Sequence, residues 1–245
     1  MNKKQYWDER AITYDNLAWV KDKASLKSIH DAIIPLREED VILDIGTGLG
    51  TMAALVSPFV CKVVGMDISR LMLDKAKKIS NVSYIEWDIC KSCFAPNIFD
   101  KVIARQVFHH ISELNISKVV CSCYTMLKKS GVLTVIEPVC PSEEIRDDYQ
   151  KIFKLKDGRN VFTENDLVIL LEEAEFVNLK VVRFITKRFS VKNWLDNNAL
   201  SSKIKDKLFE MHVTASDAFR KAYNMSIING DCLIDIKNII VMGEK

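Results

Sequence analysis

Three carboxylates, three glycines and a pair of adjacent histidines are the residues of this 245-residue chain whose spacing could do chemistry. In VILDIGTGLG, residues 41–50, an apolar run ends at Asp44 and Ile45, and Gly46, Gly48 and Gly50 then alternate with Thr47 and Leu49. A turn that tight needs positive φ, and a ligand lying against the main chain leaves no room for a Cβ. Asp67 closes the next apolar run in VVGMDIS, where a carboxylate can accept hydrogen bonds from both hydroxyls of a ribose. Asp88, in IEWDIC after a third run, stands where a further acid can contact an adenine edge. The spacing separates this loop from other nucleotide loops. A dinucleotide fingerprint wants its third glycine where Thr51 stands, and the Gly-Lys-Ser/Thr ending of a phosphate-binding loop is absent. Cys90 and Cys93 have CxxC spacing, but the second pair that a tetrahedral zinc site needs is missing, so no metal is expected.

These residues need a scaffold that presents strand ends side by side. From residue 41 onward short apolar runs alternate with amphipathic stretches, the pattern of parallel strands joined by crossover helices. Strands are expected at 41–45, 62–66, 82–85, 101–104, 132–137, 176–188 and 238–242. Ser69 is placed to cap a helix carrying Met72, Leu73, Ala76 and Ile79, a second helix is expected over 116–127, and Thr163 precedes a third with Leu167, Leu170, Leu171 and Ala174. Residues 1–35 and 189–236 fall outside this alternation. Both are mixed polar and aromatic, and both are read as helical cover over the ligand end of the sheet. The expected organisation is one α/β domain over 1–245, with its core in 36–188 and 237–245.

Bulk properties narrow the partners. A net charge of +2, from 35 basic and 33 acidic residues, leaves no excess field for a phosphate backbone, which disfavours nucleic acid. The start MNKKQYWDER lacks a signal-peptide core, and no apolar run reaches the roughly eighteen residues a membrane span needs. Seven cysteines, with Cys61, Cys121, Cys123 and Cys140 among apolar neighbours, suit a reducing compartment, so a cytoplasmic protein is expected.

In order and spacing, YWDERAITYD, LDIGTGLG, GMDISRLMLDKAKK, YIEWDIC, FDKVIARQVFHHI and LKKSGVLTVIEP resemble the class I S-adenosylmethionine-dependent methyltransferases, in the broad group that includes the menaquinone and ubiquinone enzymes. The likeness covers roughly residues 6 to 137. It implies a Rossmann-like, seven-stranded, mostly parallel sheet with helices on both faces. It also implies that Gly46, Gly48 and Gly50 pack against the methionine portion of the cofactor, with Thr47 in the same loop. Asp44 would order that loop and its ammonium end, Asp67 with Ile68 would hold the ribose, and Asp88 with Ile89 would read adenine. Arg105 and Gln106 would line the path to the methionine group, and Tyr14 would fold over the cofactor.

Methyl transfer from a sulfonium is an in-line displacement, so the protein aligns the partners and excludes water, adding a base where the acceptor must lose a proton. His109 and His110 are the candidate bases, because the resemblance puts the end of the fourth strand opposite the transferable methyl. The alternative is that one caps the next helix and the other packs in the wall. Glu137 could bond a polar acceptor or stabilise the turn at Pro138. His212 is a weaker candidate, and His30 has no supporting context. Arg-Gln-Val-Phe-His-His stands where base methylases carry an Asn/Asp-Pro-Pro-Tyr run, which argues against nucleic-acid bases. Trp194, Leu195, Met211, Phe219 and Tyr223 make an aromatic acceptor pocket plausible and quinone methylation doubtful. The expected protein is a monomer or homodimer acting on a small-molecule methyl acceptor. Two other readings are a non-catalytic cofactor-binding scaffold and an NAD-linked oxidoreductase.

Overall fold

The computed structural model describes residues 3–91 and 94–245. Among the described residues eight strands form one sheet: β1 (Val41–Ile45), β2 (Lys62–Asp67), β3 (Val82–Glu86), β4 (Phe99–Arg105), β5 (Leu127–Pro138), β6 (Val177–Ser190), β7 (Ser226–Ile228) and β8 (Asp231–Glu244). The order is β3-β2-β1-β4-β5-β8-β6, with β7 pairing β8 beyond that path. The first five strands run parallel, while β8 lies antiparallel between β5 and β6. This is the mostly parallel Rossmann-like sheet that the sequence implies, with a short eighth strand added.

Neighbouring side chains on a strand point to opposite faces, and here both faces are covered. Ile42 packs in a core with Ile29 and Ile33 of α2 (Lys23–Ile33) and Met52 and Val56 of α3 (Thr51–Val56). Leu43, its neighbour, packs on the other face with Val120 and Cys123 of α5 (Glu113–Met126) and Leu167 and Leu171 of α7 (Glu164–Glu172). Thr163 and Asp166 form a reciprocal capping box that starts α7. Ser69 caps α4 (Arg70–Lys75) by accepting from Met72 N at 3.2 Å, but that helix stops at Lys75, short of Ile79, because Ala76 turns to an extended backbone.

A third core sits over the carboxyl ends of the strands. It joins α6 (Arg146–Lys156), α8 (Val191–Asp196), α9 (Ser202–Val213), α10 (Asp217–Ala222) and the first half of β8 around Tyr149, Phe153, Trp194, Phe219 and Tyr223. The sequence reading had no helix at α6, and it started the last strand at 238 where β8 begins at Asp231. The amino-terminal helix α1 (Lys3–Arg10) closes the same end. Among the described residues, no helix is long and apolar enough to cross a membrane.

Candidate active site

In a sheet ordered β3-β2-β1-β4-β5, the residues at the strand ends line up as Asp88, Asp67, Gly46, Arg105 and Glu137. The chain leaves β1 for β2 on one side and reaches β4 on the other, so the loop after β1 stands at the reversal of strand order, where open α/β sheets bind ligands. Gly46, Gly48 and Gly50 have φ of 63°, 54° and 75°. Asp44, 1% exposed, accepts from Thr47 Oγ1 at 2.5 Å and Ala53 N at 3.1 Å, and burial raises its pKa to about 7. Asp67 accepts from Gly48 N and Ser69 N, both at 2.9 Å, and burial raises its pKa too. Those two bonds occupy one lone pair on each oxygen and leave others for ligand hydroxyls.

The glycines do different work. A Cβ on Gly46 would lie 2.3 Å from Val107 Cγ2, and one on Gly50 would lie 2.3 Å from the Tyr84 hydroxyl, whereas at Gly48 the nearest atom, Tyr14 Cε1, is 3.9 Å away. Gly46 and Gly48 border the ligand cavity; Gly50 packs back against Tyr84 and Asp44 faces a smaller adjoining cavity. Gly50 borders neither cavity; it starts α3 in the left-handed conformation and lets Tyr84 approach. Gly46→Ala should cost about 2–4 kcal/mol in urea unfolding, from left-handed strain plus overpacking. Adding Val107→Ala should recover the overpacking part only; full recovery would show that the conformation costs nothing.

The main cavity, about 750 Å³ counted to its open mouth, is bordered by Asp67, Ile68, Asp88, Ile89, Arg105, Gln106 and His110. Trp7, Met72 and Trp87 border it as well; the sequence places Trp7 in the cover over the ligand end and Met72 on a helix, and names none of the three as a site residue. Trp87, 44% exposed, offers a flat face directly beside Asp88, and that adjacency was the available signal. Cys90 lies at the rim, while Cys93 is outside the described residues. Arg105 stacks 5.4 Å from the Trp19 ring centre and donates to Trp19 O at 3.4 Å, yet its Nε is buried without a partner. A buried donor without an acceptor fits a ligand carboxylate, such as the one that ends the methionine portion of S-adenosylmethionine.

Helix α1 is fastened across this cavity. Ser69 Oγ donates to Asp8 at 2.6 Å, Lys75 Nζ to Ala11 O at 2.6 Å, Lys3 Nζ to His110 O at 2.8 Å, and Lys4 pairs with Glu86. These contacts hold Trp7 and Tyr14 over a second cavity of about 720 Å³, and Trp7, Tyr14, Gln106 and His110 border both.

Glu137, fully buried, accepts from Val107 N at 2.9 Å, Phe108 N at 2.7 Å and His109 Nδ1. It therefore organises the loop after β4 and is not free to bond an acceptor, as the sequence had allowed. With Nδ1 turned to the carboxylate, the other nitrogen of the His109 ring remains for the second cavity, which His109 borders. His110 stands edge-on to Trp7 at 4.7 Å. Burial lowers the pKa of His109; burial, with His109 and Arg159 nearby, holds that of His110 well below 6.5. His212, 2% exposed and bonded through Nδ1 to Leu208 O at 2.7 Å, also borders the second cavity; His30 packs on Phe59 and borders neither. Of the five apolar residues read as pocket lining, Trp194 reaches the cavity, while Leu195, Phe219 and Tyr223 are core residues and Met211 packs against that core.

The histidines set a pH dependence. Between the native pKa of His110 and about 6.5 the unfolded chain binds more protons, so His110 lowers stability as pH falls through that window. Asp44 acts oppositely: raised from 3.8 to about 7, it favours the fold at low pH and loses that contribution as pH rises through 7. The ring C–H resonances of His110 should hold their neutral positions at about pH 6 in NMR titration. A His110 midpoint at or above its ordinary 6.5 would refute the burial.

The fold and the strand-end site together define an α/β protein of the Rossmann-like methyltransferase type. Residues 42–131 match a family described as a methyltransferase domain. Over that segment, a little over a third of its length, the chain is similar to S-adenosylmethionine-dependent methyltransferases. It is 32% identical over 109 residues to a ubiquinone/menaquinone biosynthesis C-methyltransferase of Desulfotalea psychrophila, covering 42% of this chain and 44% of that one. It is 27% identical over 162 residues to a phosphoethanolamine N-methyltransferase of Plasmodium falciparum, covering 64% and 60%. The chain thus spans about half the length of the curated relatives it matches. The crystal structure of the YcgJ protein of Bacillus subtilis superimposes with a TM-score of 0.76 at 18% identity, over 91% of this chain and 98% of that one.

Proposed function

We propose that the chain transfers the methyl group of S-adenosylmethionine to a small molecule held in the second cavity. The observation that carries this reading is the pair of cavities meeting at one wall of Trp7, Tyr14, Gln106 and His110. Asp88 with Ile89 holds adenine, Asp67 with Ile68 holds the ribose, and Gly46, Thr47 and Gly48 form the loop beside the methionine portion. Arg105 takes its carboxylate. The shared wall of Trp7, Tyr14, Gln106 and His110 would align an acceptor with the methyl group, in a space that α1 and the helices of residues 189–236 screen from water. When bound, the cofactor supplies the electrophilic methyl; the protein supplies alignment and, for an acceptor that must lose a proton, a base.

His109 is the proposed base, held by Glu137 with one ring nitrogen toward the acceptor; His110 is proposed at the junction of the cavities. The relatives' named acceptors, quinone precursors and phosphoethanolamine, support a small-molecule acceptor without choosing between carbon, nitrogen and oxygen. Cys61, Cys90 and Cys121 are exposed free thiols, which supports a cytoplasmic setting. Calorimetry with S-adenosylhomocysteine and with NADH tests the reading. Binding of the first and not the second is expected; the reverse would restore the oxidoreductase reading. Tight binding with no methyl transferred to any component of a cell extract would favour a scaffold.

A further inference from the structure

Two buried guanidiniums, Arg10 and Arg159, border the second cavity, a positive charge that methyl transfer does not require, while Lys156 packs behind them with its pKa held well below 10.5 by burial and by Arg159. Arg10 at the end of α1 is 3% exposed, and the side chains of Lys156 and Arg159 are 0% and 9% exposed. One carboxylate, Asp157, stands among them. Its Oδ2 accepts from Lys156 Nζ at 2.5 Å, Arg159 Nη2 at 2.5 Å and the Tyr6 hydroxyl at 3.2 Å, and its Oδ1 from Arg159 Nε at 2.9 Å, so this one carboxylate already serves two basic side chains. Arg10 is left over. Its Nη1 donates to the Tyr6 oxygen at 2.9 Å, and its Nε is buried with no partner. Its guanidinium lies among the rings of Tyr6, Trp7 and Tyr14, at 5.6, 5.1 and 5.6 Å from their centres.

Ring faces offset part of the cost of burying a cation, but they give the Nε hydrogen no acceptor. The other titratable groups in or directly behind the cavity wall do not balance the charge. His109, His110 and His212 are held toward the neutral form by burial, and Glu137 is already engaged by His109 and two backbone amides. Tyr149, with its pKa raised to about 12, stays protonated and supplies no negative charge. Arg10 and Arg159 both border this cavity, and neither borders the cavity assigned to the cofactor. A planar guanidinium with free donors, in a space walled by Trp19, Phe189 and Trp194, matches a flat or apolar molecule that ends in an anion.

We propose that the second cavity takes an acceptor bearing a carboxylate or phosphate-ester group, bound by Arg10 and Arg159, with its methyl-accepting end at the wall of Gln106, His109 and His110. Calling this ligand the acceptor rests on the reading of the first cavity as the donor site. The anion site itself does not. The test is calorimetry on the full chain with phenyl phosphate, benzoate and uncharged benzamide, each with and without saturating S-adenosylhomocysteine. At least one anion should bind about tenfold or more tighter than benzamide, and which one does so separates phosphate from carboxylate.

Arg10→Gln should lower anion affinity about tenfold while changing benzamide by less than about twofold, and Arg10→Lys should retain part of it. If Arg10→Gln fails to fold by circular dichroism, the wild-type comparison decides. Benzamide binding as tightly as both anions overturns the proposal, and so does an anion that displaces S-adenosylhomocysteine, since the cation would then serve the cofactor. Anion binding with no S-adenosylhomocysteine binding would strike the donor reading and leave the anion site standing.

Discussion

Asp67→Ala is expected to weaken S-adenosylhomocysteine binding by at least about 100-fold, or about 2.7 kcal/mol or more. Two effects add. The variant removes the carboxylate proposed to hold both ribose hydroxyls, and hydrogen bonds to a charged group contribute about 1.5–3 kcal/mol each. It also leaves Gly48 N and Ser69 N, each 2.9 Å from a carboxylate oxygen, without an acceptor, so the loop and the start of α4 loosen together. Asp67→Asn keeps the shape and one acceptor oxygen, and should lose about tenfold. Calorimetry reads both. An alanine variant binding within about threefold of wild type would mean that the ribose does not sit at the end of β2.

Glu137→Ala should have the largest effect on stability, about 3–5 kcal/mol in urea unfolding. The carboxylate is fully buried and gathers Val107 N, Phe108 N and His109 Nδ1, three donors with no water to turn to once it is gone. Glu137→Gln should cost less, because the amide oxygen can still serve part of the loop while its NH₂ opposes the remaining donor. Because this loop also carries Gln106 and His110, the alanine variant should weaken S-adenosylhomocysteine binding even though Glu137 borders neither cavity. A loss below about 1 kcal/mol would show that the loop holds itself without the carboxylate.

The proposed donor half of the site is legible in the sequence because it is local. Asp44, Asp67 and Asp88 each follow a short apolar run, and strands buried on both faces can take acids only where they end. The proposed acceptor half is harder to read because its groups come from far apart: Arg10 from α1, Arg159 from the loop before α7, and His212 from α9. No spacing in the sequence joins residues separated by so much chain. Some signals were present and passed over. Tyr149, Ile152, Phe153 and Lys156 recur at helical spacing and are the buried face of α6, although a lysine in that series hides the pattern. Asn229 and Gly230, at φ 52° and 75°, are the Asn-Gly pair that marks a tight hairpin, and they turn β7 into β8. Glu137 read as a possible acceptor contact because a sequence does not reveal that two backbone amides will turn toward it.

The wall shared by the two cavities has a thermodynamic consequence. Trp7, Tyr14, Gln106 and His110 touch whatever lies on either side, so ordering them for one ligand is work that the other ligand need not repeat. With donor and acceptor seated as proposed, their affinities are coupled, and linkage makes the coupling reciprocal: the factor by which one ligand tightens the second equals the factor by which the second tightens the first. A synergy measured on either side fixes its value on the other.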